Sequence, residues 1–362
     1  MRTIRITGTG SALPGRIVTN KELEQLVETS DEWIRERTGI AERHVSVGET
    51  VVTLASEAAH KALEQAGKTA EEIDLILVAS CSPEQYLPCC ACQVQAAIGA
   101  VNALAFDVNA ACSGFLFALN TADVYLRTGL AENALVIGSE VLSKLVDWTD
   151  RGSCILFGDG AGAVVVERCR TESRAVEYSN ALPETEKGMQ ETAEEKRIPA
   201  AGILGRALHS DGTGGGVLQC GARELTTPYA RTSAAKTDQK QQTDDREHYI
   251  QMDGQEVYRF ATRRVPQCIE EALSDAGLAV PDIDMFVLHQ ANARIIDAVA
   301  KRLHADRDKF PTNLERVGNM SSASIPVLLD ELNRQRKLHR GDRIVLAGFG
   351  AGLTIGACVM TW

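Results

Sequence analysis

Twice along the chain the same order of apolar and polar positions recurs. "HKALEQAGKTAEEIDLILVASCSP", from His60, and "EEALSDAGLAVPDIDMFVLHQANA", from Glu270, each carry apolar residues at helical spacing, close on a glycine, cross a polar turn and enter an uninterrupted apolar run. The pattern predicts an amphipathic helix with a glycine C-cap, a turn, then a strand. Ala62-Leu63, Ala66-Gly67 and Ile73-Asp74 recur as Ala272-Leu273, Ala276-Gly277 and Ile283-Asp284, an offset of 210 residues without a gap. Each copy is followed by another apolar strand, "ALVIGSE" (134–140) and "RIVLAGFG" (343–350). Strands apolar on both faces belong in a sheet covered on both sides. The repeat therefore predicts two related α/β halves packed together.

Between them the pattern lapses. Residues 171–200 and 229–248 are polar, charged and poor in large apolar side chains, and read as surface excursions; "ETEKGMQETAEEK" favours helix by propensity. The expected division is a first half over 1–170, a polar insertion and connecting segment over 171–250, and a second half over 251–362.

Composition narrows the function. The 362 residues are 44% hydrophobic and 24% charged, enough for a sizeable core, with a net charge of −11 that gives nucleic-acid binding no global support. An acidic partner would need a local basic patch. No apolar run reaches the about 20 residues of a membrane-spanning helix, and the N-terminus has no apolar signal core, so neither membrane insertion nor export is expected. The ten cysteines then read as reduced residues of a cytoplasmic protein, and "PCCACQ" lacks the paired spacing of a zinc site.

One cysteine stands apart. In "FDVNAACSGFLFALN" (106–120) a short strand passes through small residues to Cys112, and the segment from Phe115 to Leu126 is apolar on every side, the mark of a buried helix. Free N–H groups at that helix start would stabilise a Cys112 thiolate and could hold an oxyanion. "FVLHQANAR" puts His289 where a buried strand ends, and "ERVGNMSSASIP" puts Asn319 after a glycine in a run of small residues. Each alone reads as structural: a core cysteine, a satisfied core histidine, a helix-capping asparagine. Three in matching contexts read as a site. The glycines of "GFGAG" and "FGDGAGA" do not follow a dinucleotide-binding spacing and are followed by strands, so a nucleotide fingerprint is rejected.

The ordered series "GTGSALP", "TSDEWIRERTGI", "FDVNAACSGF", "DWTDRG", "FGDGAGA", "LHSDG", "HQANARI", "GNMSSASIP" and "GFGAGLTIG" spans nearly the whole chain and resembles the 3-oxoacyl-(acyl-carrier-protein) synthase III family of the thiolase superfamily. The resemblance implies a thiolase-like fold, two duplicated α/β halves stacked as α-β-α-β-α layers. It also implies a Cys-His-Asn triad of Cys112, His289 and Asn319, with an oxyanion site at the backbone N–H groups of Cys112 and Ala351, where the family usually has glycine. The implied reaction is a decarboxylating condensation of a short acyl-CoA with malonyl-acyl carrier protein through an acyl-cysteine, starting fatty acid synthesis without a cofactor. CoA contacts carry over to Trp33, Arg37, Arg151 and Asn292. Carrier contacts carry over to Gln290, Ala291, Asn292, Ala293, Arg294, Lys301 and Arg302. Leu87 falls where a residue of the neighbouring subunit closes the acyl pocket, and the resemblance implies a homodimer. A leucine there suggests room for a longer or branched primer.

Four rivals stand beside this reading. They are a specialised acyltransferase or ketosynthase of secondary metabolism, a degradative thiolase using Cys358 as second cysteine, a hydroxymethylglutaryl-CoA synthase, and an inactive acyl-binding scaffold. The thiolase fits "HQAN" and Asn319 less well, and no glutamate base stands beside Cys112 in sequence for the synthase.

Overall fold

A computed structural model describes residues 2–170, 202–221 and 248–362. The stretch 171–200, and 229–248 save its last residue, lie outside the described residues.

The first sheet comprises β1 (Arg2–Ala12), β2 (Leu75–Ala79), β3 (Leu104–Val108), β4 (Asn133–Glu140) and β5 (Gly160–Arg170), in the order β1-β5-β4-β2-β3. The second comprises β6 (Gly202–Ser210), β7 (Met285–Leu288), β8 (Arg343–Gly350) and β9 (Thr354–Thr361), in the order β7-β8-β9-β6. The strands β2 and β4 pair in parallel, as do β7 and β8, and the return strands β5 and β9 are antiparallel. The 210-residue offset holds in the coordinates: β4 and β8 superpose in number, 133–140 on 343–350.

Seven helices matter for the site: α1 (Asp31–Thr38), α2 (Val51–Ala66), α3 (Cys90–Ile98), α4 (Gly114–Thr128), α5 (Gly254–Ala276), α6 (Ala293–Arg302) and α7 (Ser324–Arg334). As the repeat predicts, α2 and α5 end one residue before a left-handed glycine cap, Gly67 and Gly277. Helices α4 and α7 lie between the sheets, sharing one apolar core with Leu77, Val136, Leu346 and Met360. Helices α2 and α3 cover the outer face of the first sheet, and α5 and α6 that of the second. These are the five thiolase-like layers.

Two departures from the sequence reading have simple causes. Strand β6 falls inside the stretch read as connecting segment, so the second sheet draws on residues well before 251. Its side chains alternate between buried and half-buried, the pattern of an edge strand, and not the continuous apolar run used to find the central ones. The counterpart of β3 is also missing: residues equivalent to 104–108 form a short helix, Leu314–Val317, whose continuation at Asn319 makes one parallel bridge to Phe157.

Polar groups cross between the halves at the central helices. Asp123 on α4 is fully buried and receives Arg206 of β6 at 2.6 Å and Arg127 at 2.7 Å. On α7, buried Asp330 accepts from Thr9 and Ser11 of β1. The duplication exchanges the two residue types, Asn120 and Asp123 answering to Asp330 and Asn333. Removing the Asp123 carboxylate leaves two guanidinium groups facing an apolar layer. Asp123→Ala should cost about 2 kcal/mol, less than a fully buried pair because both arginines keep some contact with water. A denaturant midpoint unchanged by the substitution would refute the tie.

Candidate active site

Strand β3 delivers Cys112. After Val108 the chain turns through Ala111, at φ 47°, into a single 3-10 turn, Ala111–Ser113, that leads into α4. Cys112 sits in that turn. Its counterpart in the second half repeats the device, with Ser321 at φ 46° opening the turn Ser321–Ala323 before α7. A left-handed non-glycine residue costs about 1–3 kcal/mol, and strain of that kind collects at functional sites. Glycine is required opposite: a Cβ on Gly350 would lie 2.6 Å from the Cys112 backbone nitrogen. The end of β8 thus rests directly against the backbone N–H of the nucleophile.

His289 follows the last residue of β7 and extends the ladder, its N–H donating to the Ala347 carbonyl at 2.8 Å. Phe349 meets the imidazole edge-on at 5.6 Å between centroids. The Nδ1 atom is buried without a hydrogen-bond partner, and burial pushes the ring pKa down to about 3. His289 is therefore a neutral imidazole, and Nε2 is the nitrogen left for a ligand.

Asn319 is fixed at both ends. Its backbone N–H donates to the Leu156 carbonyl and its own carbonyl accepts from Gly158. The side-chain Oδ1 accepts from the Ser321 N–H at 2.9 Å, which commits the oxygen and leaves the amide donors to face the site. Gly318, at φ 68°, places it: a side chain there would meet the Leu156 carbonyl at 3.1 Å.

Cys112, His289 and Asn319 line one cavity of about 310 Å³, which reaches Arg37 and Gly152 at one end. Cys112 also lines a second cavity of about 220 Å³, walled by Cys81, Leu142, Leu145, Phe157 and Ile250. The cysteine thus borders both cavities, an outer one that reaches Arg37 and Gly152 and an inner, mainly apolar one that itself opens past exposed Asn109, Gln219 and Cys220. Ala351 borders the inner cavity without a left-handed backbone angle, so alanine is tolerated where glycine was expected. A larger cleft of about 710 Å³ beside Asp147 and Asp150 contains none of the three residues.

The thiol differs from expectation. Burial pushes Cys112 up to about 12, with the Ser321 hydroxyl pulling the other way. Desolvation outweighs the helix start, which favours a resting thiol over the thiolate read from the helix position.

Near the outer mouth, Trp33 lies on α1 with the guanidinium groups of Arg37 and Arg151 at 4.7 and 4.8 Å from its ring centroid. The i,i+4 spacing of Trp33 and Arg37 produces half of this stack. Asn292 lines the outer cavity, but its Oδ1 caps α6 through the Arg294 N–H and its amide donates to the Arg37 carbonyl. It retains one N–H for any ligand.

The other expected contacts divide. Arg294, Lys301 and Arg302 are exposed on α6, and the Arg294 guanidinium lies 6.0 Å from the Tyr258 ring centroid. Ala291 borders the outer cavity, and half-buried Ala293 faces Gly39. Gln290 cannot touch a carrier: it is fully buried, donating to Leu288 and accepting from Asn313. Its place between a strand end and a helix start looks exposed in sequence, but the side chain turns inward to satisfy those backbone groups. Leu87 lines neither cavity of its own chain and is 84% exposed. Cys358 is buried within β9 and borders neither cavity, so the degradative thiolase lacks its second cysteine at the site.

Cys81, Ser321 and Phe349 were missed. Cys81 follows the end of β2 much as His289 follows β7, and Ser321 lies 210 residues after Ala111; those positions were the available signals. Among the described residues no cluster of three or more His, Cys, Asp or Glu side chains is arranged to hold a metal, and no helix is long and apolar enough to cross a membrane.

Comparison with known proteins agrees with the geometry. Residues 106–181 match the family described as 3-oxoacyl-(acyl-carrier-protein) synthase III, and residues 273–362 match its C-terminal part. The beta-ketoacyl-(acyl-carrier-protein) synthase III of Clostridium acetobutylicum is 44% identical over 362 residues, covering 100% of this chain and 99% of its own. That of Desulfitobacterium hafniense is 44% identical over 364 residues, covering 100% and 98%. The crystal structure of the Aquifex aeolicus 3-oxoacyl-(acyl-carrier-protein) synthase III aligns with a TM-score of 0.82 at 38% identity, covering 99% of this chain and 100% of that one.

Proposed function

The chain belongs to the 3-oxoacyl-(acyl-carrier-protein) synthase III family, condensing acyltransferases that initiate fatty acid biosynthesis, and from that premise we propose how its residues divide the reaction. The observation that carries the proposal is the position of Cys112 at the junction of two cavities. The outer one takes the thioester-bearing arm of CoA and then of the carrier; the inner, apolar one takes the acyl chain.

In the first half-reaction the Cys112 sulfur attacks the acyl-CoA carbonyl. A carbon–sulfur bond forms to Cys112, the bond to CoA sulfur breaks, and the thiol proton leaves on CoA. The developing oxyanion is met by the backbone N–H groups of Cys112 and Ala351. In the second, malonyl-carrier loses CO2, and the electron pair of the broken C–C bond becomes an enolate. His289 Nε2–H and the Asn319 amide donate to its oxygen; a neutral imidazole protonated on Nε2 gives the hydrogen bond and keeps its proton. The enolate carbon attacks the acyl carbonyl, and the Cys112 sulfur leaves as a thiolate and takes up a proton from water. The scheme asks for no resident cofactor, since CoA is a substrate.

The Trp33 stack supports adenine binding, because a flat base can enter between indole and guanidinium. On a chain of net charge −11, exposed Arg294, Lys301 and Arg302 supply the local basic patch an acidic carrier needs. A homodimer is supported by edge strand β3, where Leu104 is 53% exposed, and by exposed Tyr86 and Leu87 nearby in the chain. Leu87 would then close the partner's inner cavity and leave room for primers longer than acetyl or branched. Such a protein would work in the cytoplasm.

The test is product formation from malonyl-carrier and a panel of acyl-CoAs. A 3-oxoacyl-carrier product with release of CO2, formed from short and branched primers, is the expected result. Acyl transfer to another nucleophile with no loss of CO2 would move the protein to the specialised acyltransferases.

A further inference from the structure

Behind the nucleophile lies a carboxyl group that the reaction scheme does not use. Glu140 ends β4, is fully buried, and is paired with no arginine, lysine or histidine among the described residues. Its partners come from both halves. Ser82 Oγ donates to Oε2 at 2.5 Å and Ser80 Oγ at 3.2 Å, and the Cys81 N–H reaches the same oxygen at 3.1 Å. From the second half, Ser322 Oγ lies 2.8 Å from Oε1. Ser322 is the residue that the duplication sets opposite Cys112, 210 positions on.

Counting protons at Ser322 shows how the carboxyl is ionised. Its hydroxyl lies 2.8 Å from Glu140 Oε1 and also 2.8 Å from the Ala79 carbonyl, which can only accept. One hydroxyl proton cannot serve two acceptors. The arrangement closes if Ser322 donates to Ala79 and Glu140 carries a proton on Oε1, donated to Ser322.

The neighbours of Glu140 lead towards Cys112. The Cys81 thiol lies 3.5 Å from both Glu140 oxygens and 3.9 Å from Ser321 Oγ, and Cys81, Ser321 and Cys112 line the same cavity. An ionised Glu140 would set a negative charge beside that cavity, where the Cys112 sulfur must become anionic. A neutral Glu140 does not.

We propose that Glu140 acts as a protonated carboxylic acid behind the nucleophile, a positioning residue that keeps negative charge out of the pocket. Burial, which pushes this carboxyl above the usual range, acts in the same direction. The titratable groups against it are Cys81, from the segment after β2, and Cys112, from the turn before α4; the turn Ser321–Ala323 before α7 presents no titratable side chain. The role rests on Cys112 being the nucleophile, but the ionisation of Glu140 can be read independently.

The deciding experiment is the infrared spectrum of the whole protein at neutral pH. The carbonyl-stretch band of a protonated carboxyl should be present in the wild type and absent from Glu140→Gln. Its absence from the wild type overturns the proposal, whatever Cys112 does. Should Glu140→Gln fail to fold, Ser322→Ala reads the same proton: losing that hydrogen bond should move the band to higher frequency, and no movement overturns the assignment. Iodoacetamide alkylation of Cys112 reports the consequence. Glu140→Gln, neutral and of the same shape, should alkylate within about threefold of wild type, because no charge is removed. A Glu140→Gln rate about tenfold above wild type would mean that the wild-type carboxyl is ionised and would contradict the role.

Discussion

Replacing His289 or Asn319 with alanine should slow condensation by about 10²–10³-fold, the usual effect of removing one donor from a developing oxyanion, while Cys112 still takes up its acyl group. The separation follows from the geometry. Both side chains line the outer cavity, whereas the N–H groups assigned to the acylation oxyanion belong to the backbone at Cys112 and Ala351. Asn319 should be the cleaner variant. Among the described residues its Oδ1 bonds only the Ser321 N–H, and its backbone stays pinned to Leu156 and Gly158. The histidine adds a pH signature. Burial depresses its pKa from 6.5 to about 3, so condensation should show no histidine titration around 6.5. Stability carries the opposite mark. As pH falls through 6.5 the unfolded chain binds a proton on His289 that the folded protein refuses until about 3, so folding weakens across that window. A condensation rate that falls with a midpoint near 6.5, and loses that midpoint in His289→Ala, would show that the ring is charged at work.

The second large effect is expected at Cys112. Cys112→Ala should lower turnover by at least about 10³-fold, because no other group on the inner wall can replace the sulfur. Cys81 borders the same cavity, but its thiol is pushed well above the ordinary range by burial, and it is not placed beside the Gly350 backbone. Stability should change little by comparison, since the substitution removes one small, half-buried side chain. The kinetic readout is single-turnover product formation with acyl-CoA and malonyl-carrier. Residual turnover within tenfold of wild type would mean that the acyl group travels by another route.

Much of this architecture was legible because duplication prints twice. The 210-residue offset that links Ala62-Leu63 to Ala272-Leu273 also links β4 to β8, and it relates the strained turns at Ala111 and Ser321. That Cys112, His289 and Asn319 belong together was legible because each follows a local signal, a strand end, a helix start or a glycine, and the three line one cavity. Side chains whose meaning lies in partners distant along the chain were not legible. Gln290 looked like a surface contact, yet its amide completes hydrogen bonds with Leu288 and Asn313. Glu140 meets Ser80, Ser82 and Ser322, the last 182 positions away, and no local pattern marks that convergence. The ionisation of Cys112 was misread for a related reason. A helix start is visible in sequence, but the desolvation that outweighs it arises only when two halves close over the thiol. Strand β6 was lost because an edge strand alternates and resembles the polar chain around it.

The central claim is that Cys112 carries the acyl group at the junction of the two cavities. Its most direct test is intact-protein mass spectrometry after incubation with acyl-CoAs alone, followed by mapping of the modified peptide. The account predicts one acyl group per chain, mapped to Cys112, absent from Cys112→Ala, and retained in His289→Ala and Asn319→Ala. An adduct on Cys81, or no adduct from any primer, would contradict it.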